Sequence, residues 1–455
     1  MACTYGERGS LTVNCVNATS TFFKVAPYRF DHLDETLKCI NCSLGNIDSG
    51  TFDISGNQIK TLDIRNSSVT QISYKAFIGL IFMEKLLLSN NPITLIYPGA
   101  FTGVRKVKYL ELENATNSLE PEVFQELRLL EILILKNNKI SILKPATFDG
   151  LGNLKILDLS YNQLTKLEDS FSPLVSLRSL KLQGNRISRI YGNEFNNLKA
   201  LLLLNLENNI LANFTMNIDS DNHLRILNLG KNTLSTDGIK MNTFLNLNSL
   251  EELDLSNNII KKIPPKFFLG LYHLRILNLN NNQISEFTTG TFSGLPHLQT
   301  LNLAGNDLKS ASVSGRLLLH SLHTLNLSYN LISKFDYLEF VSRMPRITTI
   351  YLANNDLSCE TISEIETLFV EDKIRFVMSD ANTELTVSCP PSKTTAKEII
   401  EKLVAEKLPK QEGSTSTTVF IILLTIIVSL VALLFYVQFF VLYRMQSPAH
   451  RIQIV

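Results

Sequence analysis

A motif of about 24 residues recurs along most of this chain. The segments 154–164 (LKILDLSYNQL) and 274–284 (LRILNLNNNQI) define it as L-x-x-L-x-L-x-x-N-x-L. Its second apolar position occurs thirteen times at intervals of 23 to 26 residues, at 62, 86, 110, 133, 157, 180, 204, 227, 253, 277, 301, 325 and 350. A weaker copy begins at Leu37. A period of this length predicts stacked coils that share one continuous core, rather than a single compact domain of 455 residues.

Each residue that recurs in the motif has a structural explanation. The L-x-L segment predicts a short strand whose leucines point inward and whose backbone pairs in parallel with the next coil. The asparagine is present in eleven of the thirteen copies and is replaced by Ser67 and Ala115. We expect its buried amide to bond backbone groups from coil to coil. A phenylalanine column runs from Phe77 to Phe340 and is missing at Asp219 and Arg316. These residues are explained by packing and do not identify a ligand.

Six cysteines flank the repeats. Cys3, Cys15, Cys39 and Cys42 precede the first full copy, whereas Cys359 and Cys389 follow the last. Since the end coils of a stack would expose apolar faces, the cysteines predict disulfide-bonded caps. The first four allow three pairings, and the last two can pair with each other. Cys39 and Cys42 also form a C-x-x-C sequence, as in redox or zinc sites, although no second pair completes a zinc site.

An apolar segment near the C-terminus predicts a membrane anchor. Residues 419–443 contain no charged residue, and 25 helical residues would extend about 37 Å, enough to cross a bilayer core. Six N-x-S/T sequons precede this segment, at Asn17, Asn41, Asn66, Asn114, Asn213 and Asn326. As glycosylation sites they predict a type I plasma-membrane protein with its N-terminal part outside. The start, MACTYGERGS, shows no signal peptide, and we expect that one was removed or is missing from the gene model.

These features divide the chain into six predicted parts. They are an N-terminal cap (1–61), the repeats (62–358), a C-terminal cap (359–392), a juxtamembrane helix and stalk (393–418), the transmembrane helix (419–443) and a cytoplasmic tail (444–455). The juxtamembrane segment has an apolar stripe at helical spacing, which suits either a stalk helix at the cap or membrane, or pairing with a partner helix. A tail of twelve residues is too short for a folded signalling domain.

Composition and motifs argue against two functional classes. The chain has 43 basic and 42 acidic residues and no long basic tract, so we expect no nucleic-acid partner. Its seven histidines lack metal-ligand spacing, and neither a phosphate-binding glycine loop nor a nucleophile elbow is present. We therefore predict that the protein is not an enzyme and requires no cofactor or metal.

The repeat resembles the extracellular leucine-rich repeat family. The unit F-x-x-L-x-x-L-x-x-L-x-L-x-x-N-x-L is similar to the repeats of Toll-type receptor ectodomains and neuronal adhesion proteins, and the segment NNDLSCETISEIETLF is similar to the C-terminal cap of insect leucine-rich repeat immune proteins. The resemblance implies an α/β leucine-rich repeat solenoid of about 13–14 repeats, a curved parallel-sheet horseshoe, with disulfide caps and one transmembrane helix. The chain departs from Toll receptors because it lacks their intracellular signalling domain.

The resemblance also implies a ligand-binding concave face, formed by the outward residues of the strands. We predict that a ligand contacts the central repeats, at Ile132, Ile134, Ile156, Asp158, Lys181, Leu203, Asn205, Ile226, Asn228, Asp254, Ile276 and Asn278. The aliphatic residues among them fit either a hydrophobic contact patch or the ordinary β-propensity of a crowded sheet.

Two functions are compatible with these observations. The first is a cell-surface recognition protein, in innate immunity for example, that binds a protein or microbial ligand and signals only through a co-receptor. The second is a homotypic adhesion or matrix-organising protein, which would act as a homodimer.

Overall fold

A computed structural model of the chain describes residues 3–5, 11–25, 33–53, 56–240, 242–287, 290–310, 319–335, 342–372 and 374–377. These residues lie in one compact unit that spans 1–392. Most of them belong to coils that begin with a short strand and return through turns to the start of the next strand.

The described strands follow the repeat. In chain order they are β1 (Cys3–Tyr5), β2 (Thr12–Val16), β3 (Thr36–Ile40), β4 (Gly45–Ile47), β5 (Thr61–Asp63), β6 (Val69–Ile72), β7 (Lys85–Leu87), β8 (Leu95–Ile96), β9 (Tyr109–Glu111), β10 (Ile132–Ile134), β11 (Ile156–Asp158), β12 (Ser179–Lys181), β13 (Leu203–Asn205), β14 (Ile226–Asn228), β15 (Glu252–Asp254), β16 (Lys262–Ile263), β17 (Ile276–Asn278), β18 (Glu286–Phe287), β19 (Thr300–Asn302), β20 (Thr324–Asn326), β21 (Thr349–Tyr351) and β22 (Arg375–Val377). Two helices are described, α1 (Ser20–Val25) and α2 (Cys359–Asp372).

One large sheet joins the coils. Among the described residues it has 17 strands, and all pair in parallel except β1, which is antiparallel to β2. Two small parallel sheets, β4–β6–β8 and β16–β18, lie at later positions of the coils. The register of the main sheet aligns equivalent leucines, so that Leu133 pairs with both Leu110 and Leu157. All three side chains are fully buried. The strands therefore place one column of leucines in the core and leave the flanking residues outside.

The asparagine ladder predicted from the repeat is present. Asn209 donates through Nδ2 to the carbonyl oxygens of Leu206 and Leu182, each at 3.0 Å, and its Oδ1 accepts the N–H of Ile187 at 3.0 Å. The same bonds recur at the other ladder positions, as at Asn282. Each amide thus replaces the hydrogen bonds that the backbone loses where it turns away from the strand.

At the two interruptions of the ladder, the next asparagine accepts one additional N–H group. Asn91 Oδ1 accepts the N–H groups of both Ser67 and Val69, at 2.9 and 3.0 Å. Asn138 does the same for the interruption at Ala115. The N–H groups of Leu44 and Ile93, which asparagines at 67 and 115 would serve, donate instead to the carbonyl oxygens of Ser67 and Ala115 at 2.9 and 2.8 Å.

The phenylalanine column packs the opposite side of the coils. The rings from Phe52 to Phe195 stack at centroid distances of 6.0 to 6.5 Å. The column therefore starts one coil earlier than predicted. It resumes at Phe244 and continues to Phe292, whereas Phe340 and Arg316 lie outside the described residues. Neighbouring parallel strands are about 4.8 Å apart, less than the spacing of the rings. The stack consequently curves with the main sheet on its concave side.

Disulfides and non-repeat elements cover the ends. Cys3 is bonded to Cys15 and Cys39 to Cys42, which resolves the three pairings left open by the sequence. The Cys39–Cys42 bond is buried, and no group of described residues could hold a metal ion. At the other end α2 begins at Cys359, which is also disulfide-bonded, while its expected partner Cys389 lies outside the described residues. Strand β22 then pairs with β21 and extends the sheet.

The predicted fold class requires correction. Neither helix in the described ranges has both the length and the apolar character needed to cross a membrane, since α1 has 6 residues and α2 has 14 with acidic side chains among them. The segment 419–443, with the stalk (393–418) and tail (444–455), lies outside the described residues. The fold class is therefore corrected to one in which the described helices supply no transmembrane helix.

The fold is a parallel β-solenoid of leucine-rich repeat type with disulfides. No helix of the described ranges can serve as the predicted transmembrane helix, and the type I plasma-membrane location that rested on it is likewise unsupported. The α/β description is also too helical for the repeats, because the described connections between successive main-sheet strands from β3 to β20 are turns and short strands, and the two helices lie at the ends of the stack.

Candidate functional site

The outer face of the main sheet brings the predicted ligand-binding residues together. Each three-residue strand buries its central leucine and directs the first and third side chains outward. Seven strands, β10 to β15 and β17, carry all twelve predicted residues. The first column contains Ile132, Ile156, Leu203, Ile226 and Ile276. The second column contains Ile134, Asp158, Lys181, Asn205, Asn228, Asp254 and Asn278.

The aliphatic residues of the first column form two separate strips. Ile132 pairs in register with Ile156, and Tyr109 is next to Ile132 on β9. We call Tyr109, Ile132 and Ile156 the first strip. Leu203 pairs with Ile226 and forms the second strip.

Two polar residues separate these groups. Ser179 lies between Ile156 and Leu203, and Glu252 lies between Ile226 and Ile276. The sequence suggested one aliphatic patch, and the register instead gives two strips and an isolated isoleucine. The strip side chains are half-buried by their neighbours, so that each strip exposes a narrow apolar surface in a polar sheet.

The second column has a structural role that the sequence analysis missed. Asn205 Oδ1 accepts the N–H of Glu207 at 2.9 Å, and Asn228 Oδ1 accepts the N–H of Gly230 at 2.9 Å. Equivalent bonds form at Asp63, Asp158, Asp254, Asn278, Asn302 and Asn326. At this position a short side chain with an oxygen accepts the backbone N–H of the residue two positions later, just after the strand ends.

Asp158 is the least accessible of the predicted residues. It is 6% exposed, accepts bonds from the N–H and hydroxyl of Ser160, and lies 3.7 Å from Lys181 Nζ. A buried carboxylate with these partners stabilises the end of the strand. Asp158 would therefore not contact a ligand itself but would position Lys181, which is more exposed on the neighbouring strand.

Paired charges border the first column on one side. Lys108 is 3.2 Å from Glu84, Lys155 is 2.8 Å from Glu131, and each pair joins adjacent coils. The hydrogen bond from Lys155 lowers the pKa of Glu131 below its ordinary value. Because these groups neutralise each other at the surface, they give this border little net charge.

Tyr109 links the first strip to nearby charged groups. Its hydroxyl donates to Glu111 at 3.2 Å, and Lys85 Nζ lies 4.8 Å from the ring centroid. Burial, and then the charge of Glu111, raise the pKa of Tyr109 above its ordinary value. The phenol thus remains a neutral donor at the end of the strip, and an aromatic ring with a polar tip is suited to a protein interface.

In each coil the residue just before the ladder position forms another recurring feature of this surface. Every coil from Asn66 to Asn354 has a residue with positive φ at this position, and most of them are asparagine or glycine. Asparagine tolerates the left-handed region better than other non-glycine residues. The Asn-Asn doublets at 137–138 and 208–209 were the sequence signal for this turn. We call this line of residues the asparagine edge.

Tyr161 is an unusual member of the asparagine edge. It has φ of 55° and is 50% exposed. Its ring covers Gly184 of the next coil, where a Cβ atom would come within 2.6 Å of Tyr161 Cδ1. Lys136 Nζ lies 5.9 Å from the ring centroid on the preceding coil. An exposed aromatic ring therefore lies three residues after β11, the strand that carries Asp158 and Ile156 of the first strip.

Comparisons with known proteins identify the repeats. Sequence models described as leucine rich repeat match residues 57–117, 113–164, 128–187 and 248–308, and a further one matches 220–241. Over these segments the chain consists of leucine-rich repeats, in agreement with the coils of the fold. None of the curated proteins compared with the chain matches it.

Solved structures share this architecture. A leucine-rich repeat protein of Leptospira interrogans matches with a TM-score of 0.61 and 21% identity, over 80% of this chain and 89% of that one. The LRIM1/APL1C complex matches with 0.60 and 20% identity, over 95% and 78%. The Toll–Spatzle complex of Drosophila matches with 0.59 and 19% identity, over 81% and 54%. At these identities the similarity concerns the fold alone.

Proposed function

We propose that this chain is an extracellular recognition protein that binds a protein partner through the two aliphatic strips of the main sheet. The observation that carries the proposal is the register of Ile132 with Ile156 and of Leu203 with Ile226. It places apolar side chains beside each other on a face that elsewhere presents mostly polar groups. A polar surface with an apolar centre is the usual composition of a protein interface.

The disulfides support an extracellular location. Cys3–Cys15, Cys39–Cys42 and the bonded Cys359 use cysteines at both ends of the repeats. Structural disulfides are typical of secreted proteins, because cytosolic thiols are kept reduced. The proposed partner is therefore an extracellular protein or a protein on a microbial or cell surface.

Two of the similar structures are complexes. One is LRIM1/APL1C, and the other is Toll–Spatzle, described as a hub in development and innate immunity. They support the use of this scaffold for protein recognition, and by analogy we place the chain in innate immune recognition. We also propose that a co-receptor transmits any signal that follows binding.

Affinity capture with the purified chain tests the proposal. The chain would be immobilised and exposed to extracellular fluid and solubilised cell surfaces. The comparison is with Ile156→Asp combined with Ile226→Asp, which puts a charge into each strip. Thr324→Asp is the matched control, because Thr324 occupies the same column on β20, away from the strips.

The proposal expects a saturable partner that binds the wild type and the control but not the double variant. Equal recovery by a correctly folded double variant would refute it. Recovery of the chain itself as the main partner would instead support homotypic adhesion.

A further inference from the structure

Four of the six sequons lie at one structural position. Asn17 and Asn41 lie directly after β2 and β3, where they continue the asparagine edge into the N-terminal coils, and Asn66 and Asn114 lie on that edge three residues after the ends of β5 and β9. Their φ angles are 55°, 52°, 52° and 49°, and all four residues are exposed. Sequons that are scattered along the sequence are therefore aligned in space.

The alignment follows from the hydrogen bonds between coils. The N–H of Asn17 donates to the carbonyl of Ile40, and the N–H of Asn66 donates to the carbonyl of Ser89, each at 3.1 Å. Successive coils are about 4.8 Å apart at the sheet. Asn90, which is not in a sequon, occupies the position between Asn66 and Asn114. Its Oδ1 accepts a hydrogen bond from Nδ2 of Asn114 at 3.2 Å.

Exposed apolar residues lie beside the first two sequons. Val16 is 42% exposed and Ile40 is 36% exposed, and they pair in register immediately before Asn17 and Asn41. In later coils the same position carries polar or small residues, such as Arg65, Ser89 and Glu113. A glycan on each neighbouring asparagine would cover these two side chains.

We propose that Asn17, Asn41, Asn66 and Asn114 carry N-linked glycans that form one row along the asparagine edge. In this modification Nδ2 attacks C1 of a lipid diphosphate-linked oligosaccharide. The N–C1 bond forms, the C1–O bond breaks, the lipid diphosphate leaves and the amide gives up one proton. Nδ2 keeps its second hydrogen, so the bond from Asn114 to Asn90 is retained.

The row ends where the first strip begins. Asn114 belongs to the coil of Tyr109, and the next members of the edge, beginning with Asn137 and Tyr161, are not in sequons. The other two sequons lie elsewhere. Asn213 forms an isolated bridge with Arg189, and Asn326 is half-buried on β20. The glycan row thus leaves the edge beside both strips uncovered. This inference does not depend on the proposed function.

The first test is glycan mapping of the full chain produced in secretory eukaryotic cells. Enzymatic release in heavy-oxygen water converts each occupied asparagine to labelled aspartate, which peptide mass spectrometry locates. We expect label at all four positions of the row. Absence of label at Asn66 or Asn114 in the folded protein would overturn the proposal.

Two variants separate modification from folding. Ser68→Ala removes the sequon of Asn66 but keeps the asparagine, and we expect the loss of one glycan with an unchanged melting temperature. Lys139→Thr creates a sequon at Asn137, the next position on the edge, and we expect one additional glycan. Failure of Asn137 to accept a glycan would contradict the claim that this position is structurally suited to it.

Hydroxyl-radical footprinting tests the coverage. Val16 and Ile40 should be oxidised at least twofold more slowly in the glycosylated chain than after enzymatic release of the glycans. Tyr161, which lies beyond the row, should react equally in both. Equal oxidation of Val16 and Ile40 in the two forms would show that the glycans do not cover this edge.

Discussion

Asn208 and Asn209 are adjacent in sequence, yet one faces solvent and the other lies in the core. Asn208 is exposed with φ of 53°, whereas Asn209 is 7% exposed and bonds backbone groups of its own and the preceding coil. The first residue makes the turn possible, and the second satisfies the groups that the turn leaves without partners. Two identical side chains therefore have different physical roles.

Replacing these neighbours should have unequal effects on stability. Asn209→Gly leaves the N–H of Ile187 without its acceptor and removes one of the two amide donors from each of the carbonyls of Leu182 and Leu206, and we expect a loss of about 2–4 kcal/mol. Asn208→Gly should change stability by less than about 0.5 kcal/mol, because glycine adopts positive φ readily. Urea unfolding at pH 7 measures both. A loss at Asn208 equal to that at Asn209 would contradict the assignment of roles.

The contact of Tyr161 with Gly184 predicts coupling between the two residues. Gly184→Ala introduces a Cβ against the ring and a side chain at φ of 71°, and we expect a loss of about 2 kcal/mol or more. In the Tyr161→Ala background the steric part disappears, so Gly184→Ala should cost only about 1 kcal/mol. A double-mutant cycle by thermal unfolding tests this, and strictly additive effects would count against the contact.

The phenylalanine column predicts a large effect from a single truncation. Phe171 lies between Phe148 and Phe195, with centroid distances of 6.0 and 6.5 Å. Phe171→Ala should cost about 3–5 kcal/mol, because the fully buried ring leaves a cavity between two stacked neighbours. Chemical denaturation measures the loss. A change below about 1 kcal/mol would indicate that adjacent coils collapse into the space.

Asp63 and Arg65 predict a dependence of stability on pH. Burial raises the pKa of Asp63, but hydrogen bonds from Arg65 Nε and Nη2 at 2.9 and 2.8 Å outweigh it and hold the pKa below its ordinary value. A carboxyl with a lowered folded-state pKa stabilises the fold above its unfolded pKa, about 3.9. That contribution is lost as the pH falls further, through the folded-state pKa.

Asp63→Asn removes the ionisable group. The stability difference between wild type and Asp63→Asn should be largest near pH 7 and should shrink as the pH falls below about 4. Melting temperatures measured from pH 7 to pH 2 provide the comparison, with Glu84→Gln at the exposed pair with Lys108 as the control. A difference that is constant over the whole range would show that ionisation of Asp63 does not contribute.

The sequence predicted the features that recur, because recurrence reflects a packing demand common to every coil. Leu133, Asn209 and Phe171 could be assigned to core, ladder and column from their spacing alone. Features that depend on register between coils could not be predicted with the same detail. Ser179 separates the two strips only once the strands are aligned, and the oxygen of Asn205 was interpreted as ligand-facing although it caps its own backbone.

The transmembrane prediction has no counterpart among the described helices, which form at the two caps of the solenoid. The apolar run 419–443 on which it was based lies outside the described residues. The asparagine edge was also missed, although its doublets were visible at Asn137 and Asn208. Its signal is weak in sequence because Tyr161 and Gly184 occupy the same position with quite different side chains.

The most direct test of the account is the affinity of the captured partner for variants of the two strips. Ile156→Asp and Ile226→Asp should each weaken binding at least tenfold, corresponding to about 1.4 kcal/mol, while Thr324→Asp changes it less than twofold. All three should melt within a few degrees of the wild type. Unchanged affinity in both strip variants, with their folding intact, would contradict recognition through the main sheet.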